Sequence, residues 1–230
     1  MVPAAGIGLR FGGERPKQYI EIAGKPVLAH AIEAVRRDSR VTGVTVVIAA
    51  DDRWFEASTR ARVEPVEVVA GGATRAESVH KGLQAIARRH PQADWVLVHD
   101  AVRPCLSAAR LAQLLTDGLA SADGAILALP VRDTLKRCDA GHRIVATLDR
   151  ASLWAAQTPQ LFPLERLRAA LGDLLQAGAP PTDEAAAMES AGGRPLVVMG
   201  SPRNIKITWP GDVAVAAAWL AGIDPEEEDL

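Results

Sequence analysis

The stretch GGATRAESVHKGLQAIARRHPQADWVLVHDAVRP, residues 71–104, decides the fold class. Thr74 followed three residues later by Glu77 forms a capping box, after which Val79, Leu83 and Ile86 mark one face of a helix. The pattern then changes to the apolar run WVLV, which reads as a fully buried strand over 95–99. Working outward, short β-branched runs at 44–50, 66–70, 125–129 and 196–199 repeat that strand reading. Helices are expected between them. Lys25-Pro26 places proline in a first turn ahead of Val27, Leu28, Ala31, Ile32 and Val35. Ser107 precedes Leu111, Leu114 and Leu115, and a further helix should open at Thr182-Asp183-Glu184 and stop at Gly192-Gly193. This is the rhythm of an α/β protein with a mostly parallel, twisted sheet flanked by helices. Without an internal repeat or low-complexity linker, residues 1–230 are expected to form one domain.

Composition narrows the function classes. With 48% apolar residues the chain can bury a sizeable core, and a net charge of −2 argues against general affinity for nucleic acid. Cys105 and Cys138 lack zinc-site spacing and read as free thiols in a reducing compartment. No apolar stretch approaches the roughly 20 residues needed to span a bilayer, so a cytoplasmic protein without membrane association is expected.

Residues 130–150 break the rhythm. Two polar-alternating strands around Asp139-Ala140-Gly141 predict a hairpin, read either as packed on its own domain or as a projecting dimerisation arm over 130–152.

Near the start, PAAGIGLRFGGERPKQY, residues 3–19, combines glycines with Arg10 and Lys17. The dinucleotide fingerprint fails at Phe11, where a third small residue is required. A Walker loop fails as well, because Glu14 stands where its lysine belongs. What remains is a loop whose backbone N–H groups can approach phosphates while two fixed cations neutralise them. A triphosphate suits it.

PAAG-x-G-x-R followed by PKQY resembles the 2-C-methyl-D-erythritol 4-phosphate cytidylyltransferases of the non-mevalonate isoprenoid pathway. Further segments extend the resemblance over nearly the whole chain: GGATRAESV, HDAVRP, RDTLK, Asp149-Arg150, Thr158-Pro159-Gln160 and Asn204 to Thr208. It implies a Rossmann-like nucleotidyltransferase fold, transfer of CMP from CTP to methylerythritol phosphate, a divalent cation such as Mg²⁺, and a homodimer with a shared active site. It also implies the roles of individual residues. Arg10, Lys17, Arg150 and Lys206 would be catalytic, with Arg150 reaching across the dimer. Ala4, Ala5, Gly6, Gly8, Gly72, Ser78, Asp100 and Ala101 would bind the nucleotide. The substrate phosphate would fall to Arg103, Thr134, Arg150, Thr158 and Lys206, and Asp100 would also serve a metal held mainly through the CTP phosphates.

Other readings stand beside these. Ser78 also reads as a polar residue of a first helical turn, and Asp100 as a turn cap. His99 reads as structural. Ala73 replaces an acid that relatives often carry. The resemblance further implies several apolar residues ahead of PAAG, forming a central strand. Only Met1 and Val2 precede it here, which predicts either a truncated chain or a chain start set too late. The acidic PEEEDL tail is expected to be solvated. Competing functions are a ribitol 5-phosphate cytidylyltransferase and a nucleotide-binding regulator without turnover.

Overall fold

The computed structural model describes residues 1–6 and 15–222. The expectations for Gly8, Arg10 and the acidic tail therefore lie outside the described residues. The chain runs β1 (Val2–Pro3), a 3₁₀ turn (Lys17–Tyr19), β2 (Glu21–Ile22), β3 (Lys25–Pro26), α1 (Val27–Val35) and β4 (Thr45–Ile48). It continues through α2 (Phe55–Ser58), α3 (Arg60–Val63), β5 (Glu67–Ala70), α4 (Arg75–Arg89), β6 (Trp95–Val98), α5 (Ala108–Leu119) and β7 (Ala125–Pro130). Last come β8 (Lys136–Cys138), β9 (Ile144–Thr147), β10 (Trp154–Pro163), α6 (Leu164–Gln176), α7 (Glu184–Ser190), β11 (Leu196–Met199) and α8 (Asp212–Gly222).

Strands β1, β4 and β5 form a parallel ladder, and β11, β7, β10 and β6 form a second, mixed one. Met1 joins the two: its amine donates to the Leu97 carbonyl at 2.7 Å and its own carbonyl accepts from the His99 N–H at 3.1 Å. That alternation is the parallel-ladder pattern, so β1 lies between β4 and β6. Met1 and Val2 thus occupy the centre of a sheet ordered β5-β4-β1-β6-β10-β7-β11. Only β10 runs against its neighbours.

Apolar runs in the central strands require cover on both faces, and helices supply it. On one side Val2, Val46 and Leu127 pack with Leu28 and Ile32 of α1 and with Leu111 and Leu114 of α5. On the other, Val47, Val98 and Phe162 meet Val79 and Leu83 of α4, Leu167 of α6 and Met188 of α7. Leu83 and Leu167 are fully buried, so truncating either to alanine should cost about 2–5 kcal/mol.

Local signals are realised with three corrections. Thr74 and Glu77 make a complete capping box, Ser107 caps α5, and Asp183 caps α7, which ends before Gly192 at φ +77°. Pro26, however, is the N-cap of α1 rather than part of its first turn. The runs at β5 and β11 are not fully buried, because each strand is a sheet edge; Leu196, Val197 and Met199 are exposed. Strand β10, helix α6 and helix α8 were not anticipated. A register shift between Ala156 and Gln160 interrupts the periodicity of β10.

The predicted hairpin is present as β8 and β9. No residue from 131 to 155 is buried, and Ile144, Val145, Leu148 and Trp154 present apolar surface. Cys105 is buried and Cys138 exposed, both as free thiols. Among the described residues no helix is long and apolar enough to cross a membrane.

Candidate active site

Open α/β sheets place ligands beyond the carboxyl ends of their parallel strands. Here the segments leaving β1, β5 and β6 converge on a cleft. Ala4, Ala5 and Gly6 come from the first, Gly72, Ala73 and Thr74 from the second, and Asp100, Ala101 and Val102 from the third. Lys17, Arg75, Ser78 and Lys206 complete its wall.

The floor is set by side chains that hold backbone. Gln18 is buried, and its amide donates to the carbonyls of Ala4 at 2.8 Å and Gly6 at 3.0 Å. In the segment after β5, the Gly72 N–H donates to Ser78 Oγ at 3.0 Å, while the Ser78 hydroxyl donates to the Thr74 carbonyl at 2.8 Å. The single proton of Ser78 is therefore spent inside the loop. Ser78 lines the cleft and holds the segment from Gly72 to Thr74 in shape. Close approach explains the paired glycines. A Cβ on Gly71 would lie 2.7 Å from Ser78 Oγ, and one on Gly72 would lie 2.5 Å from the Glu77 Cβ.

Asp100 is the hub. Its Oδ2 lies 2.8 Å from Lys206 Nζ and 3.7 Å from Arg103 Nε, and its Oδ1 accepts from an Arg75 N–H at 3.1 Å. Burial by itself would raise the Asp100 pKa. The charges of Arg75, Lys206 and Arg103 outweigh it and hold the carboxyl well below the usual range. Arg75 also reaches Glu184 at the start of α7, with N–H to carboxylate distances of 2.7 and 3.1 Å. Burial raises the Glu184 pKa against the opposing pull of Arg75. The Arg75 guanidinium, penalised by burial, is kept charged by Glu184 and Asp100.

Beneath Asp100, the Thr158 hydroxyl oxygen accepts from the Asp100 N–H at 2.9 Å and contacts His99 Nδ1 at 3.1 Å. His99 Nε2 faces the Arg103 carbonyl at 3.0 Å, which can only accept. The proton accordingly sits on Nε2, and Nδ1 accepts from the Thr158 hydroxyl. Burial pushes the His99 pKa down to about 4, so this imidazole is neutral at pH 7 and structural.

The geometry sorts the sequence-expected residues. Lys17, Lys206, Asp100, Ala101, Gly72, Ser78 and the Ala4 to Gly6 backbone come together at the cleft. Lys17 Nζ donates to the Ile207 carbonyl at 2.8 Å, beside Lys206. Two expected phosphate ligands do not face it. Arg103 is buried behind Asp100 with a guanidinium N–H on the Asn204 carbonyl at 2.6 Å, and Thr158 is buried beneath. Both position Asp100. Thr134 and Arg150 are exposed on the arm and do not line the cleft of their own chain; Arg150 donates to the Arg132 carbonyl.

The expected metal role of Asp100 does not fit this arrangement. A divalent ion there would compete with three resident cations, and among the described residues no three His, Cys, Asp or Glu side chains gather to hold one. The cleft is instead built for anions. Lys17, Arg75 and Lys206 line it beside a single lining carboxylate, Asp100, leaving an excess of positive charge even when Glu184 behind Arg75 is counted. Arg75 and Glu184 escaped the sequence reading because their only local signals were a capping box and an acidic first turn.

The family model described as "IspD: 2-C-methyl-D-erythritol 4-phosphate cytidylyltransferase" matches residues 1–222. A protein of that description from Halorhodospira halophila is 50% identical over 224 residues, covering 96% of this chain and 92% of the relative. One from Dechloromonas aromatica is 47% identical, with 96% of each chain covered. Among solved structures, a 4-diphosphocytidyl-2C-methyl-D-erythritol synthase superposes with a TM-score of 0.82 at 40% identity, covering 95% of both chains. The cytidylyltransferase of Francisella tularensis gives 0.80 at 34% identity, covering 95% of this chain and 97% of its own.

Proposed function

Since the chain belongs to the 2-C-methyl-D-erythritol 4-phosphate cytidylyltransferase family, we propose how its cleft carries out the reaction of that family. The enzyme transfers CMP from CTP to 2-C-methyl-D-erythritol 4-phosphate, releasing pyrophosphate, in isoprenoid precursor biosynthesis. The observation that supports the mechanism is that Lys17 and Lys206, from opposite ends of the chain, meet at one cleft.

A phosphate oxygen of the acceptor attacks the α-phosphorus of CTP, and the bond from that phosphorus to the bridging oxygen of the β-phosphate breaks. The nucleophile is already an anion. No general base is required, and the protein's task is to hold two anions in line and neutralise the crowded phosphorus. The Ala4 to Gly6 backbone and the Gly72 segment cradle the nucleotide, with Ala101 at the ribose. Lys17, together with Arg10, meets the triphosphate. Lys206 leaves Asp100 for the incoming phosphate, which is the stronger anionic partner. Mg²⁺ belongs to the substrate in this reading, ligated by CTP oxygens and spreading their charge.

Arg150 and Thr134 act from the partner's arm in a homodimer. The solvent-facing Ile144, Val145, Leu148 and Trp154 support that assembly, since an apolar arm on a polar hairpin calls for cover. The two free thiols support a cytoplasmic setting. Pyrophosphate release from CTP plus acceptor tests the reading. Release that does not depend on the acceptor would contradict it.

A further inference from the structure

Glu184 is a buried carboxylate to which the family reaction assigns no task, yet it sits three contacts from a proposed catalytic lysine. The chain of contacts is continuous. Glu184 takes both terminal nitrogens of Arg75 at 2.7 and 3.1 Å, the second of these nitrogens also reaches Asp100 Oδ1 at 3.1 Å, and Asp100 Oδ2 holds Lys206 at 2.8 Å. Arg75 is therefore shared between two carboxylates, and the two-pronged pair with Glu184 is the stronger claim on it.

We infer that Glu184 is a positioning residue which, by competing for Arg75, sets how firmly Asp100 holds Lys206. With Glu184 charged, Arg75 is drawn towards α7 and Asp100 keeps enough negative charge to hold the lysine. Without that charge Arg75 turns wholly to Asp100, and the lysine loses its partner. Arg103, the other cation on Asp100, is fixed by the Asn204 carbonyl at 2.6 Å and cannot adjust in the same way. The proposal rests on the reading of Lys206 as an active-site group, but it concerns contacts present before any substrate binds.

The test is competitive trace acetylation of the full chain without ligands, read lysine by lysine by mass spectrometry, with the exposed Lys136 of the arm as internal reference. A lysine held by a carboxylate labels slowly, because its nitrogen is engaged in the ion pair. Glu184→Gln should raise the labelling of Lys206 about threefold or more relative to Lys136. The double variant Arg75→Met/Glu184→Gln removes the competitor as well, and removing both partners leaves no unpaired charge buried. It should label Lys206 more slowly than the wild type. These opposite signs separate positioning from loosening, which would raise both rates. Unchanged labelling in Glu184→Gln, or a rise in both variants, overturns the proposal. Should Glu184→Gln fail to fold, the double variant decides alone, and a rate equal to or above the wild type overturns it. Labelling requires no turnover, so failure of the catalytic reading would leave this outcome interpretable.

Discussion

Lys17 Nζ donates to the Ile207 carbonyl at 2.8 Å, fastening the lysine of the N-terminal motif to the segment that carries Lys206. One contact thus sets the spacing of two cations that the chain places far apart in sequence. Lys17→Ala should lower kcat by about 10² to 10³, the usual size for removing one electrostatic donor to a transition state, with the fold retained. Steady-state kinetics and circular dichroism check this. A fall of less than about threefold would remove Lys17 from the mechanism.

Burial sets an acid limit through His99. Its pKa in the fold, about 4, lies below the ordinary 6.5, so between these values the unfolded chain binds more protons and the fold loses stability as pH falls. The full effect amounts to about 3 kcal/mol. Urea unfolding at several pH values between 7 and 4 should show this slope in the wild type and a shallower one in His99→Gln. Equal slopes would mean that the imidazole is not what titrates.

Gly72→Ala places a Cβ 2.5 Å from the Glu77 Cβ, against the capping box that opens α4. Loss of a cap costs about 1 kcal/mol, and the displaced segment lines the cleft. Both the melting temperature and the affinity for CTP should fall. Gly43→Ala, with nothing within 4 Å of its new Cβ, is the control and should leave both unchanged.

Arg150→Ala should impair use of methylerythritol phosphate while leaving CTP binding intact, seen as a separation of the two KM values. Mixed dimers of Arg150→Ala with Lys17→Ala should regain part of the activity, since one of the two sites then has both residues. No recovery after verified subunit exchange would refute a shared site.

The architecture was largely legible because it rests on local signals. Thr74 and Glu77 announce α4, and the WVLV run announces β6 and places Asp100 at its carboxyl end. Strand β10 was not legible, since Pro159 and the register shift before Gln160 break its alternation. In the site, glycines and cations close together in sequence pointed to the cleft. The pairing of Arg75 with Glu184, 109 residues later, leaves no periodic trace, and a buried glutamate looks like any other first-turn acid until the fold is known. The inward turn of Arg103 is of the same kind. Motif position identified it as important without revealing that its partners are Asn204 and Asp100.

The most direct measurement is pyrophosphate release from CTP with methylerythritol phosphate and with ribitol 5-phosphate, side by side, in wild type and Lys206→Gln. The account predicts turnover with methylerythritol phosphate, far slower turnover with ribitol 5-phosphate, and loss of about 10² or more in the variant. Equal or preferential use of ribitol 5-phosphate, or a variant as active as the wild type, would contradict it.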